Sequence, residues 1–264
     1  MIGVFDSGFG GLHVLKSVTT RLPQYGYIYL GDSARAPYGP RPFDEVHAFT
    51  KQGVDFLFEH GAQLVVLACN TASSEALRKI QTQYGEAKKV LGVLIPFAEA
   101  TARATKTKRV GVIATEGTVR SGSFPREITK VDPEIEVVQQ ACPLLVPLVE
   151  AGEQDSAQAE RLLEEYLRPL LAQKIDTLVL GCTHYGLLER KIQEVVGPKI
   201  EIITERDVVA SSLKDYLARH PDIESKITKE PSVRFFSTGD IERFEKLGSI
   251  FFESPIRAEH VDLL

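Results

Sequence analysis

Short runs rich in valine, isoleucine and leucine recur along this chain, and the stretches between them carry apolar residues near a spacing of 3.6. IGVF (2–5), YIYL (27–30), LVVLA (64–68), VLGVL (90–94), RVGVIA (109–114), IEVV (135–138), TLVLG (177–181) and IEII (200–203) read as strands. Segments such as EVHAFTKQGVDFLFEHG and QAERLLEEYLRPLLAQK read as amphipathic helices. Strands that are apolar at nearly every position have both faces covered, and strands separated by helices connect in parallel. The pattern predicts an α/β protein with mostly parallel sheets.

The same pattern occurs twice. RVGVIATEGTV (109–119) echoes MIGVFDSGFGG (1–11), and LVLGCTHYG (178–186) echoes VVLACNTAS (65–73). Gly3 and Gly111 are 108 positions apart, and Cys69 and Cys182 are 113 apart. Two motif pairs at nearly one offset predict two similarly built α/β halves. We expect a first domain from residues 1–95 plus about 206–264, and a second from 96–205, with the active site in the cleft between them. The segment from about Glu205 onward is more polar, then returns to strand-like VRFFS (233–237) and helical IERFEKLGSIF. It is expected to pack back on the first half. In open α/β sheets ligands bind beyond the carboxyl ends of the strands, where both cysteines fall.

Composition narrows the function classes. The 264 residues carry a formal net charge of −5 with both signs interspersed, so nothing supports a nucleic-acid surface. The cluster Lys106, Lys108 and Arg109 reads as a solvated approach to a strand. No apolar run is long enough to span a bilayer, and Met1 runs directly into the first strand with no leader-like segment. Three cysteines argue against a disulfide scaffold and for a reducing cytoplasm. The six histidines form no H-x-x-x-H pair and the cysteines no C-x-x-C, so no metal site is expected.

Four motifs could carry chemistry. In DSGFGGL (6–12) the glycines miss the dinucleotide spacing, because His13 stands where a third glycine would be, and no phosphate-binding G-x-x-x-x-G-K motif exists. What remains is a turn that offers backbone amides to an anion beside Asp6 and Ser7, or a plain strand-to-helix turn. GDSARAPYGPR (31–41) is a Gly- and Pro-rich loop that either closes over a ligand or packs on itself. Cys142, in ACPLLVPLVE, reads as a small buried apolar residue. ACNTAS (68–73) and GCTHYG (181–186) differ, since each thiol ends an apolar strand and precedes polar residues that open a helix. Helix N-terminal amides favour thiolate.

Two thiols on two related walls suit the inversion of a stereocentre. One removes a proton from one face of a carbon and the other returns a proton to the opposite face, with the roles exchanged in reverse. A thiol, with a reference pKa of about 8.5, can act as either base or acid near neutrality. Asp6, Glu150 and His184 are the groups available to set the two states. Two other readings stay open at this point. One is a Cys–His hydrolase or transferase with Cys182 as nucleophile and His184 as base. The other is a redox or ligand-binding protein whose thiols pair or merely line a pocket.

At these residues the chain resembles the glutamate racemases, amino-acid racemases of bacterial peptidoglycan synthesis that need no cofactor. The resemblance runs through GVFDSGFGGL, GDSARAPYGPR, ACNTAS, GVIATEGTV, ACPLLVPLVEAG, GCTHYGLL and FFSTGDIERF, nearly the whole length, in the family's order. It implies Cys69 and Cys182 as the catalytic thiols, assisted by Asp6, Glu150 and His184. It implies substrate binding by Asp6, Ser7, Tyr38, Gly39, Asn70, Thr71, Thr183 and His184, with Thr115 and Thr118 as further wall residues. The implied partner is the small-molecule substrate, with a homodimer as an option and with no cofactor, metal, nucleic acid or membrane required. The related aspartate racemases tend to carry Glu after Cys-Thr, so His184 favours glutamate. Phe9 stands where the family usually has Val, and Gly186 where it has Pro; the glycine is expected to loosen the turn behind His184. Some members carry an N-terminal extension linked to activation by a peptidoglycan precursor; with Met1 abutting the first strand, that regulation is not expected here.

Overall fold

The computed structural model describes residues 1–263. Its strands are β1 (Ile2–Asp6), β2 (Gly26–Gly31), β3 (Leu64–Leu67), β4 (Lys89–Gly92), β5 (Arg109–Ala114), β6 (Glu136–Ala141), β7 (Thr177–Gly181), β8 (Glu201–Ile203), β9 (Ser232–Ser237) and β10 (Ala258–His260). They form two sheets, one in the order β10-β9-β2-β1-β3-β4 and one in the order β6-β5-β7-β8. Every described pairing is parallel. The α/β class with two sheets is as the alternating pattern implied.

The sheets share one plan. β2-β1-β3-β4 and β6-β5-β7-β8 are the same order, with β1 matching β5 and β3 matching β7. The chain leaves β1 for β2 on one side and later returns to β3 on the other, so the order reverses between β1 and β3. The second sheet reverses in the same way between β5 and β7. Such reversal points leave a crevice at the carboxyl ends of the strands. Asp6 ends β1, and Cys69 follows β3 in one crevice; Thr115 follows β5, and Cys182 follows β7 in the other. The polar tail extends the first sheet: β9 pairs with β2 and β10 pairs with β9.

Apolar side chains on both faces hold these strands. Val4 and Val66 belong to a core that continues into the second sheet through Val110, Val112 and Leu178. Phe5, Val65 and Leu67 point to the other side, against Val46, Val54 and Leu57 of the helix Phe43–Glu59. Each fully buried Val, Leu or Phe contributes about 1.5–3 kcal/mol, which is why strands of four to six residues suffice. The helix Ala157–Ala172 shows how the covering layer is built. The Ser156 hydroxyl accepts the Ala159 amide at 3.1 Å, and Leu163, Leu167 and Leu170 form its buried stripe. No described helix is long and apolar enough to cross a membrane.

Candidate active site

Both thiols and most of the motif residues surround one small cavity of about 30 Å³. Its walls are Ser7, Tyr38, Gly39, Cys69, Asn70 and Thr71 on one side and Thr115, Glu150, Cys182, Thr183 and His184 on the other. Cys69 is the N-cap of the helix Asn70–Glu75, with Sγ 3.5 Å from the Ala72 amide and 3.4 Å from Ser7 Oγ. Cys182 precedes a 3₁₀ helix, Thr183–Leu188, and its sulfur faces the His184 amide. Cys142 lies apart, fully buried, with its S–H directed at the Gln140 carbonyl at 3.6 Å.

The amides at the helix ends do favour thiolate, but burial outweighs them. Cys69 is pushed up to about 12, chiefly by burial and then by the Asp6 carboxyl, against the Ser7 hydroxyl and the Ala72 and Ser7 amides. Cys182 is held well above its ordinary value, again chiefly by burial, with Glu205 and Cys69 adding to the rise. Burial thus biases both thiols toward the neutral form, against the pull of the helix-end amides. At pH 8 a thiol at 12 is ionised about one part in ten thousand, against about one in ten for a thiol at 9. Iodoacetamide should therefore label Cys69 roughly a thousandfold more slowly than a free thiol. Mass-spectrometric labelling should show the rate climbing about tenfold per pH unit above pH 8; a plateau below pH 10 would contradict this assignment.

The Gly8 amide of the turn after β1 is directed at the Asp6 carboxyl. Asp6 Oδ1 accepts the Gly8 amide at 2.9 Å, and Oδ2 accepts the Thr183 hydroxyl at 3.4 Å from the opposite wall. Burial raises the Asp6 carboxyl above the usual range, while His184, the Gly8 and Gly11 amides and Thr183 oppose the rise. The glycines let the walls meet. A Cβ on Gly10 would overlap the Thr183 hydroxyl and crowd His184 Nδ1, and one on Gly39 would lie 2.8 Å from Thr115 Cβ. The Gly117 amide donates to the Gly39 carbonyl at 2.8 Å.

The threonines make a second link between the walls. Thr71 Oγ1 is 2.9 Å from Thr115 Oγ1, and Thr118, behind them, lies 3.4 Å from Thr71. Tyr38 lines the cavity, but its hydroxyl donates to Asp32, so its O–H is not directed at a ligand. His184 is fixed from two sides, by Nε2 at 3.1 Å from Glu150 Oε1 and by the Phe251 ring edge-on at 5.3 Å. The turn behind it is held as well: the Tyr185 hydroxyl donates to the Cys142 carbonyl at 3.0 Å, and a Cβ on Gly186 would make ordinary contact with His13 at 3.5 Å. Phe9, the other departure from the family pattern, packs on Phe244 with ring centroids 5.5 Å apart.

Two residues at the site were not singled out from the sequence. Arg243 donates to the second Glu150 oxygen at 3.0 Å, where the inner cavity meets an outer one of about 470 Å³. Glu205, the first residue of the helix Glu205–Arg219, is buried and accepts a hydrogen bond from the Asn70 side-chain amide. Burial holds its carboxyl well above the usual range; the Asn70 bond opposes this, and Asp6 adds to it. Its position just past β8, at the carboxyl edge of a strand, was the available sequence signal. Among the described residues no group of three or more His, Cys, Asp or Glu could hold a metal ion.

The profile of the Asp/Glu/Hydantoin racemase family matches residues 2–212. A glutamate racemase of Lactiplantibacillus plantarum is 42% identical over 268 residues, covering 99% of this chain and 96% of that protein. The crystal structure of a Bacillus anthracis glutamate racemase isoform superimposes with a TM-score of 0.93 at 37% identity, covering 100% and 97% of the two chains. A Francisella tularensis glutamate racemase, solved in complex with D-glutamate, gives 0.90 at 31% identity over 99% and 97%.

Proposed function

We propose that this chain, which belongs to the Asp/Glu/hydantoin racemase family, interconverts L- and D-glutamate with Cys69 and Cys182 as its two proton-transfer groups. It is an isomerase of the cofactor-independent kind, and its product D-glutamate serves peptidoglycan synthesis. The observation that carries the reading is the equivalence of the thiols. Each follows the matching strand of a sheet built to the same plan, and both border one cavity. We divide the chain accordingly, residues 1–95 with about 206–264 around one sheet and 96–205 around the other.

The chemistry follows from that placement. One thiolate takes the Cα proton and becomes a thiol, leaving a carbanion next to the substrate carboxylate. The opposite thiol gives its proton to the other face and becomes the thiolate, so the pair ends with exchanged states. Because burial favours the neutral form of both thiols, forming the thiolate base requires one proton to leave. The substrate's α-ammonium brings the positive charge that favours this. Asp6, buried behind the first wall and bonded to Thr183, and the His184–Glu150 pair, on the second, are the groups we assign to relay that proton. Ser7, Asn70, Thr71 and Thr183 then offer the polar contacts, with the Gly39 region and the Tyr38 ring closing the space.

A homodimer is compatible with this site. The setting we propose is the cytoplasm, where three unpaired cysteines stay reduced. The test is direct: L-glutamate with purified protein, without added cofactor and with chelator present, should lose its circular dichroism to zero, as should D-glutamate from the opposite sign. L-Aspartate should change at least about a hundredfold more slowly. Unchanged ellipticity of both glutamate enantiomers would refute the reading.

A further inference from the structure

We propose that Glu205 is a positioning residue for this reaction: its carboxyl holds the N–H end of the Asn70 side-chain amide, which presents Asn70 Oδ1 to the α-ammonium of the substrate. The inference rests on the reading of Asn70 as a substrate-binding residue. Glu205 is only 5% exposed and makes no salt bridge among the described residues. Burying a carboxyl without a cation is unfavourable, so its hydrogen-bond partner among the described residues matters. That partner is Asn70 Nδ2.

An amide side chain has a donor end and an acceptor end, nearly identical in shape and opposite in what they attract. With Nδ2 taken by Glu205, the end left over is Oδ1, which is buried and has no hydrogen-bond partner among the described residues. Asn70 lines the cavity between the thiols. Glutamate in its ordinary charge state offers hydrogen bonds from one group only, the ammonium; both carboxylates accept. The unpartnered acceptor belongs to a residue that borders this cavity, and on the substrate it has one complementary group. Without Glu205 the amide is free to turn over and present its N–H end, which repels the ammonium and attracts a carboxylate. The acceptor on Glu205 serves in either protonation state of its carboxyl. The bond also joins the two halves of the site, because Glu205 follows β8 of one sheet and Asn70 follows β3 of the other.

The test compares the wild type with Glu205→Met, Glu205→Gln, Asn70→Ala and the double variant Glu205→Met/Asn70→Ala. KM and kcat are measured for both glutamate enantiomers, and the inhibition constant for glutarate, which is glutamate without its amino group. Methionine fills the buried volume without an acceptor, and glutamine keeps a carbonyl of the same reach. Glu205→Met is expected to raise KM about tenfold with kcat within about threefold, the loss of one charge-assisted hydrogen bond. Glutarate inhibition should stay within about twofold, Glu205→Gln should recover most of the loss, and Glu205→Met should add nothing in the Asn70→Ala background. An unchanged KM in Glu205→Met, an equal loss for glutarate, or the same penalty with Asn70 absent would overturn the proposal. If Glu205→Met does not fold, Glu205→Ala supplies the same comparison, with folding followed by thermal melting. An unchanged KM in Asn70→Ala would instead remove the substrate-binding reading on which the proposal stands.

Discussion

Cys69→Ser and Cys182→Ser are each expected to lower kcat/KM for racemisation by about 10²–10⁴-fold or more, the range that removal of a general acid–base group produces. A serine hydroxyl fits either site, but it is a much weaker acid than a thiol and cannot form the base at accessible pH. The two enantiomers have equal energy in water, so kcat/KM must fall by the same factor in both directions whichever thiol is lost. Directional asymmetry can therefore appear only in partial reactions. With one thiol left, the Cα proton can still be removed from the enantiomer that presents it to that thiol. Each variant should catalyse solvent exchange in one enantiomer only, and the two variants in opposite ones. This outcome separates the opposed pair from a Cys–His hydrolase, in which Cys69 would be dispensable. Near-normal turnover of both enantiomers by either variant would exclude the two-thiol mechanism.

Asp6→Asn is expected to cost about 10²–10³-fold in kcat/KM, equivalent to about 3–4 kcal/mol of transition-state stabilisation. The substitution keeps the shape of a group bonded to the Gly8 amide at 2.9 Å and the Thr183 hydroxyl at 3.4 Å. A hydroxyl can accept as well as donate, so Thr183 reverses its role toward an asparagine N–H and the two walls stay joined. What disappears is the charge. A buried carboxylate attracts the substrate ammonium far more strongly than it would in water. A second readout has a definite sign. Asp6 adds to the raised value of Cys69, so its neutralisation should bring that thiol down and speed alkylation near pH 8. Activity should fall while thiol reactivity rises, with the thermal midpoint little changed. A variant with full activity would remove Asp6 from the proton path.

The parts of this architecture legible in the sequence are those with a period or a repeat. Apolar runs such as VVLA and LVLG are buried on both faces, so they read as strands without knowledge of their neighbours. The matching offsets of Gly3–Gly111 and Cys69–Cys182 became matching strand orders in the two sheets. What escaped has no such signature. β10, only Ala258–His260 at a sheet edge, lacks a β-branched residue and exists because β9 offers it a ladder. Glu205 opens a polar helix and looks like a solvated residue; it is buried because the chain passes there between the two sheets. The charge state of the thiols also depends on a quantity absent from local sequence. The helix-end amides are readable from the motif, whereas the burial that overrides them is set by side chains from other elements, such as Tyr38 and Glu150 around the same cavity. In DSGFGGL the sequence leaves open whether the turn serves an anion, and it cannot show that Gly10 lets Thr183 approach from the other sheet.

The central claim is that different groups act on the two faces of Cα, and one isotope measurement addresses it most directly. L-Glutamate is incubated with the enzyme in deuterium oxide, and both enantiomers are analysed for Cα deuterium within the first few per cent of turnover. Two opposed thiols predict D-glutamate labelled at Cα almost completely, because the thiol that donates has equilibrated with solvent, while the remaining L-glutamate stays largely unlabelled. Unlabelled D-glutamate, or label entering L-glutamate as fast as D-glutamate forms, would mean that a single group serves both faces and would contradict the account.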